Sequence, residues 1–250
     1  MEQDKIGCDY LKIIAIIQAR MGSTRLPEKI LKPLGHLDVL TYVTCRCKQI
    51  VGVEQVIVAT STLPQDDVIE EWCDEHNVTC FRGSEDDVLS RYVECAKQYE
   101  PDYVMRVTSD CPFVDYEMAS EIVTLLGNNP KDIVLLEGKL PRGLAVELIS
   151  YASLLKIDEA GHESRHREHV TYYAYEFADQ FKGITYKVPD NRQAPEFRIT
   201  LDTDDDYALI QAVAEHFNDP LISSVEVINF LRSNPQLAKL NAHIEQKPVN

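Results

Sequence analysis

The sharpest pattern in the chain is Lys12–Gln18, KIIAIIQ, a short β-branched apolar run that ends at a polar, glycine-containing segment. Apolar residues at consecutive positions suit a strand covered on both faces, as in a parallel sheet. Gln55–Thr60, Thr79–Arg82, Tyr103–Val107 and Asp132–Leu136 are further strand-like runs. Between them the spacing turns helical, over Leu37–Ile50, Pro64–His76, Asp86–Tyr99 and Val114–Leu126, the last closed by Gly127. Asp66 and Asp67 stand in the first turn of the second helix, where the helix dipole favours acids. Such alternation predicts an α/β fold: a mostly parallel, Rossmann-like sheet with right-handed helical crossovers. Ligands of these sheets sit beyond the C-terminal ends of the strands.

After residue 136 the rhythm breaks. Gly143–Ile149 reads as a strand that leaves the main sheet, Ala152–Ala160 and Glu168–Phe181 as helices, and Ile184–Val188 as a strand. Residues 139–189 are therefore expected to form an excursion within one domain spanning 1–250, serving as a dimer arm and an acceptor-contact region. Phe197–Leu201 is predicted to return as a strand, followed by helices over Asp204–Phe217 and Val225–Arg232. Glu245–Asn250 reads as a polar, frayed end.

Composition narrows the partners. The net charge is −16. A surface this acidic repels nucleic-acid phosphates and anionic lipid, so neither is an expected partner. No apolar window of about 18 residues occurs, and Met1–Lys12 carries Asp4, Lys5, Asp9 and Lys12 where a signal peptide would be apolar. A cytoplasmic location is expected. The seven cysteines are odd in number and scattered, which argues for reduced thiols instead of a disulfide framework.

Against that charge, Gln18–Lys29, QARMGSTRLPEK, places Arg20, Arg25 and Lys29 within ten residues just after a buried strand. Gly22 permits close backbone approach, successive amides can form an anion nest, and Ser23 and Thr24 supply hydroxyls. Two arginines and a lysine give charge-assisted donors to a polyphosphate. The Walker pattern GxxxxGK[ST] and the dinucleotide pattern GxGxxG are both absent.

These twelve residues resemble the signature of the cytidylyltransferase superfamily that activates acidic sugars, which includes the acylneuraminate and 3-deoxy-manno-octulosonate cytidylyltransferases. The resemblance is greatest to the SpsF branch, the spore-coat polysaccharide biosynthesis protein F group, which favours QARMGSTRLPGK; here Glu28 replaces the Gly. Further resemblances follow in order. Arg82–Arg91, RGSEDDVLSR, is similar to the family's RGSEDDVLDR, with Ser84 also readable as a helix N-cap and Asp87 at the reciprocal position. Tyr103–Phe113, YVMRVTSDCPF, resembles the strand-then-TGDCP element, with Ser109 in place of Gly. Phe197–Tyr207, FRITLDTDDDY, resembles RLTVDTPEDL; Thr203 can cap the next helix with Asp206. LPRGLAVELI over Leu140–Ile149 and REHVT over Arg167–Thr171 also match, with Ala145 where relatives often carry Asp.

The resemblance implies a nucleotidyltransferase three-layer sandwich that moves CMP from CTP to an acidic sugar of surface polysaccharide, releasing pyrophosphate with Mg²⁺. It implies catalytic roles for Arg20, Lys29, Asp110 and Asp202, with Asp110 and Asp202 as the Mg²⁺ carboxylates. The implied nucleotide set is Ala19, Arg20, Met21, Gly22, Ser23, Arg25, Lys29, Thr60, Arg82, Gly83, Ser84, Asp87, Arg91, Arg106, Ser109 and Asp110. Glu147, Arg167, His169 and Arg198 are the candidates for acceptor contact, and a homodimer is expected. Transfer to a sugar phosphate, polyol phosphate or phosphonate stays open, as does a nucleotide-binding regulatory protein without turnover.

Overall fold

The computed structural model describes residues 11–245. The first ten residues, with Asp4, Lys5, Cys8 and Asp9, and residues 246–250 of the expected frayed end lie outside it. The strands are β1 (Ile13–Gln18), β2 (Pro33–Leu34), β3 (Leu37–Asp38), β4 (Val53–Ser61), β5 (Thr79–Gly83), β6 (Tyr103–Thr108), β7 (Ile133–Glu137), β8 (Glu147–Ser150) and β9 (Gly183–Lys187). The helices are α1 (Val39–Lys48), α2 (Asp67–Glu75), α3 (Val88–Tyr99), α4 (Tyr116–Asn128), α5 (Tyr151–Ala160), α6 (Ser164–Glu168), α7 (Tyr172–Glu176), α8 (Asp204–Phe217), α9 (Ser224–Ser233) and α10 (Pro235–Ala238).

Seven strands form one sheet in the order β5-β4-β1-β6-β8-β7-β9, and β2 with β3 makes a separate two-stranded ribbon. β1 lies at the centre, parallel to β4 and β6. The run IIAII is buried throughout because its alternate residues serve two cores. Ile13, Ala15 and Ile17 face Leu40, Val43, Ile69 and Met118 of one helical layer, while Ile14 and Ile16 face Leu89, Tyr92 and Leu154 of the other. This is the three-layer α/β arrangement the pattern predicts. A third core joins α8 and α9 to the β2–β3 ribbon through Leu34, Val213, Ile228 and Leu201.

Several expectations are corrected. The strand expected over Gly143–Ile149 does not leave the sheet: β8 runs antiparallel between β6 and β7, and β9 closes the edge parallel to β7. Residues 139–189 thus return two strands to the sheet, since β7 needs a partner on each side to satisfy its backbone. Phe197–Leu201 is extended but forms no strand; Arg198 makes a single bridge to Arg142. The helix expected over Glu168–Phe181 is reduced to α7 and a 3-10 turn, with α6 ending at Glu168 and Val170 at φ +39° between them. Helix α3 starts at Val88 with Asp87 as its N-cap, so Ser84 is a turn residue instead. Helix α4 starts at Tyr116 and passes Gly127 to end at Asn128. The Thr203–Asp206 capping box is present.

Among the described residues no helix is long and apolar enough to cross a membrane, and six cysteines are free thiols.

Candidate active site

The site is built where β1 and β6 end. Ala19 N–H bonds Ala59 O at 3.0 Å and Ser109 N–H bonds Gln18 O at 3.1 Å, which carries the sheet pairing into both loops. The basic loop then folds on itself: Ser23 Oγ accepts from Leu26 N at 3.3 Å, and Leu26 and Ile30 are buried. Glu28 adopts φ +57°. Glycine reaches this conformation without a Cβ penalty, which accounts for the Gly of the similar signature. The turn delivers Lys29 into the cleft.

Lys29 is the hub. Its Nζ donates to Asp110 Oδ2 at 2.9 Å, to Asp202 Oδ1 at 3.0 Å and to Leu201 O at 2.8 Å. Arg25 Nη2 lies 3.1 Å from the same Asp202 oxygen. The two aspartates meet because Leu201 N–H bonds Asp110 O at 2.8 Å and Thr200 Oγ1 bonds it at 3.1 Å. The 197–201 segment is held in turn by Arg142, whose N–H and C=O bond Phe197 O and Ile199 N at 3.1 and 2.7 Å. Gly143 makes that approach feasible: it has φ +101°, and a Cβ there would stand 2.3 Å from Ile199 O.

The electrostatics follow from this packing. Burial alone would raise the Asp110 pKa, but the Lys29 charge and hydrogen bond, with bonds from Thr108 and Cys111, bring it down to about 2. Asp202 is pushed up by burial and brought below its ordinary value chiefly by Lys29. Lys29 would be lowered by burial, yet Asp110 and Asp202 raise it. All three groups are therefore charged at neutral pH. The Cys111 thiol, buried beside Asp110, is pushed up to about 12 and stays protonated.

The other candidates fall into distinct places. Arg20 Nη1 bonds Glu85 Oε1 at 3.1 Å, and a Cβ on Gly22 would stand 3.5 Å from that oxygen. Met21 N–H donates to Asp66 Oδ1 at 2.7 Å, and Ser61 Oγ donates to Asp66 Oδ2. Arg106 donates to Gln18 Oε1 at 3.1 Å and to Glu147 Oε2 at 2.5 Å, and Thr171 Oγ1 donates to that Glu147 oxygen at 2.7 Å. His169 is lowered, first by burial and further by the positive charges of Arg106 and Arg142. Thr60 is buried at the end of β4. Arg91 is buried under Gly83, whose added Cβ would stand 3.0 Å from Arg91 Cγ.

Three further candidates are ion-paired within the protein. Arg82 bonds Glu70 at 2.7 Å and the carbonyls of Ser61 and Leu63, with Asp67 at 2.6 Å, so α2 takes its charge. Arg167 is paired with Asp87 at 2.6 Å. Arg198 is buried between Asp202 at 2.6 Å and Asp206 at 2.9 Å. It braces Asp202 from behind, and Asp206 also accepts from Asp202 N at 3.0 Å and Asn241 Nδ2 at 2.8 Å.

Residues that sequence reasoning missed do comparable work. Asp66 reads as an ordinary helix-start acid but is fully buried as the anchor of the basic loop. Glu85 reads as one of a run of acids but orients Arg20. Tyr175 follows Thr171 by four positions, and so shares its side of the α7 turn. Its side chain is exposed.

Residues 14–241 match the family described as Cytidylyltransferase. The chain belongs to that family. It is 33% identical over 232 residues to the spore coat polysaccharide biosynthesis protein SpsF of Bacillus subtilis, covering 90% of this chain and 96% of that one. A 3-deoxy-manno-octulosonate cytidylyltransferase of Polynucleobacter asymbioticus is 32% identical over 123 residues, 47% of this chain and 46% of that one. The solved structure of a cytidylyltransferase from Leptospira borgpetersenii superposes with a TM-score of 0.86 at 31% identity, covering 95% of this chain and all of that one. This cytidylyltransferase therefore uses CTP.

Proposed function

We propose that the enzyme transfers CMP from CTP to a sugar acid used in surface polysaccharide, with Mg²⁺ and release of pyrophosphate. One observation carries the proposal: Lys29 Nζ lies 2.9 and 3.0 Å from the carboxylates of Asp110 and Asp202, with Arg25 3.1 Å from the second. Two ionised carboxylates converge on one point that already accommodates a cationic group beside a basic loop. Among the described residues no third metal-ligating side chain joins them. That donor set fits Mg²⁺, which is commonly held by one or two carboxylates with the remaining positions filled by phosphates and water. When bound, the ion would neutralise charge on the phosphates as pyrophosphate departs.

The protein's own groups supply the rest by positioning and charge. Arg25 is exposed, so it is suited to turn from Asp202 to the triphosphate, while Lys29 stays beside the two carboxylates. Arg20 and the Ser23 hydroxyl complete the phosphate grip. The acceptor oxygen attacks the α-phosphorus in line. Glu147, Thr171 and His169 offer hydrogen-bonding groups suited to a hydroxyl-rich acceptor. The similarity to SpsF and to the 3-deoxy-manno-octulosonate enzyme supports a sugar acid. We also propose a cytoplasmic homodimer, checked by light scattering and fractionation.

The test is pyrophosphate release from CTP, ATP, GTP and UTP, with and without Mg²⁺, across sugar acids, sugar phosphates, polyol phosphates and phosphonates. Mg²⁺-dependent release with CTP and a sugar acid is expected. Release only with a phosphorylated acceptor would replace the acceptor assignment. CTP binding without product from any acceptor would favour a regulatory protein.

A further inference from the structure

Arg167, on α6, and Asp87, the N-cap of α3, lie 80 residues apart in the chain and are bonded to each other. Arg167 Nε donates to both Asp87 oxygens at 2.9 and 3.0 Å, and Nη2 donates to Oδ2 at 2.6 Å. Its Nη1 lies 2.8 Å from Asp158 Oδ1 on α5. The guanidinium is thus paired on two sides within the protein.

Each partner anchors a turn. Asp87 Oδ1 accepts from Ser90 N at 2.9 Å as the cap of α3, and Asp87 N–H donates to Ser84 Oγ at 3.1 Å. Between Ser84 and Asp87 stands Glu85, which holds Arg20. On the other side, Arg167 leads through His169 to Val170, which is fully buried at φ +39°. A β-branched residue rarely enters that region and stays there only when its surroundings over-determine it. The next residue, Thr171, is fastened to Glu147 at 2.7 Å. The strained position is therefore clamped by Arg167 before it and Thr171 after it.

We infer that Arg167 and Asp87 are a positioning pair that couples the turn holding Arg20 to the 168–172 segment. Ordering of the Arg20–Glu85 side by nucleotide is transmitted through the Asp87 turn and the Arg167 fork to the segment that presents His169 and Thr171. The inference rests on the nucleotide reading of the Arg20 loop given above. A guanidinium is required, because only its planar fork binds a carboxylate through two parallel bonds.

Hydrogen–deuterium exchange on the full chain tests this with Arg167→Lys and Asp87→Asn; asparagine keeps the helix cap. Without ligand, amides of residues 168–172 should exchange about fivefold faster in either variant, as local opening becomes easier. Exchange equal to wild type overturns the positioning role. Added Mg·CTP should slow 168–172 in wild type by about fivefold, the low end of ordinary coupling, and by less than about twofold in the variants. Residues 19–25 should remain protected by CTP in all three proteins. A wild type protected at 19–25 but unchanged at 168–172, or variants that retain the full slowing, overturn the coupling. Absence of CTP protection anywhere in wild type counts against the nucleotide reading, and the ligand-free comparison still decides the role of the pair.

Discussion

Replacing Lys29 with methionine keeps the reach of the side chain and deletes the ammonium shared by Asp110, Asp202 and the Leu201 carbonyl. The lysine side chain is 13% exposed and the carboxylates are 25% and 15% exposed, so water replaces little of the loss. Breaking a buried pair from one side costs about 3–5 kcal/mol. Arg25 and Arg198 still neutralise Asp202, which places this variant near the low end, about 3 kcal/mol. For a chain of this length each kcal/mol moves Tm by about 2–4 °C, giving a fall of about 6–12 °C near pH 7.

The pH dependence separates this mechanism from a simple packing loss. In the wild type the folded Asp110 pKa is about 2, below its unfolded value of about 3.9. Its contribution is present above that unfolded value and is lost as pH falls toward 2. Without Lys29, burial dominates and the folded pKa rises above the unfolded one. The variant then recovers stability by taking up a proton as pH falls. The Tm gap between wild type and Lys29→Met should therefore narrow from pH 7 to about pH 4.5. Scanning calorimetry at several pH values measures it. A gap below about 2 °C at pH 7, or one independent of pH, would refute the reasoning.

Asp110→Asn should lose about 3–4 kcal/mol of transition-state stabilisation, a fall of about 10²–10³ in kcat, with the circular dichroism spectrum unchanged; near-normal pyrophosphate release would remove Asp110 from the catalytic set. Asp206→Ala strips the buried Arg198 of a partner and should destabilise by about 3–5 kcal/mol in urea titrations, whereas Asp206→Asn should cost less. Gly143→Ala forces a Cβ toward Ile199 O and should cost about 1–3 kcal/mol, with a drop in kcat as Asp202 shifts; unchanged melting would show that the 142–199 contact yields freely. With its thiol near a pKa of 12, Cys111 should resist iodoacetamide at pH 8 in the native state, as read by peptide mass spectrometry.

Much of the fold was legible because burial on both faces leaves a plain trace. The run IIAII declares a central strand, and the helical spacings between strands declare the crossovers. What misled was the middle of the chain. Glu147–Ser150 has the composition of any half-buried strand, and its antiparallel insertion between β6 and β7 depends on partners far away in sequence. The expected helix is interrupted at Val170, where a side-chain anchor on each flank outweighs its own backbone preference. The pairing of Arg167 with Asp87 was not legible either, because the two lie 80 residues apart in the sequence.

From residue order alone came the parallel sheet, the basic loop after its first strand, and the family signature with its aspartates. These are local: each depends on side-chain type and spacing over a dozen residues or fewer. The folded chain alone decided which charges meet. Lys29 and Asp202 are 173 residues apart and touch at 3.0 Å, Arg82 turned to α2, and Arg167 found Asp87. The physical reason is that a charge has no preferred partner in one dimension. Its partner is chosen by where the backbone brings it and by the cost of leaving it buried alone.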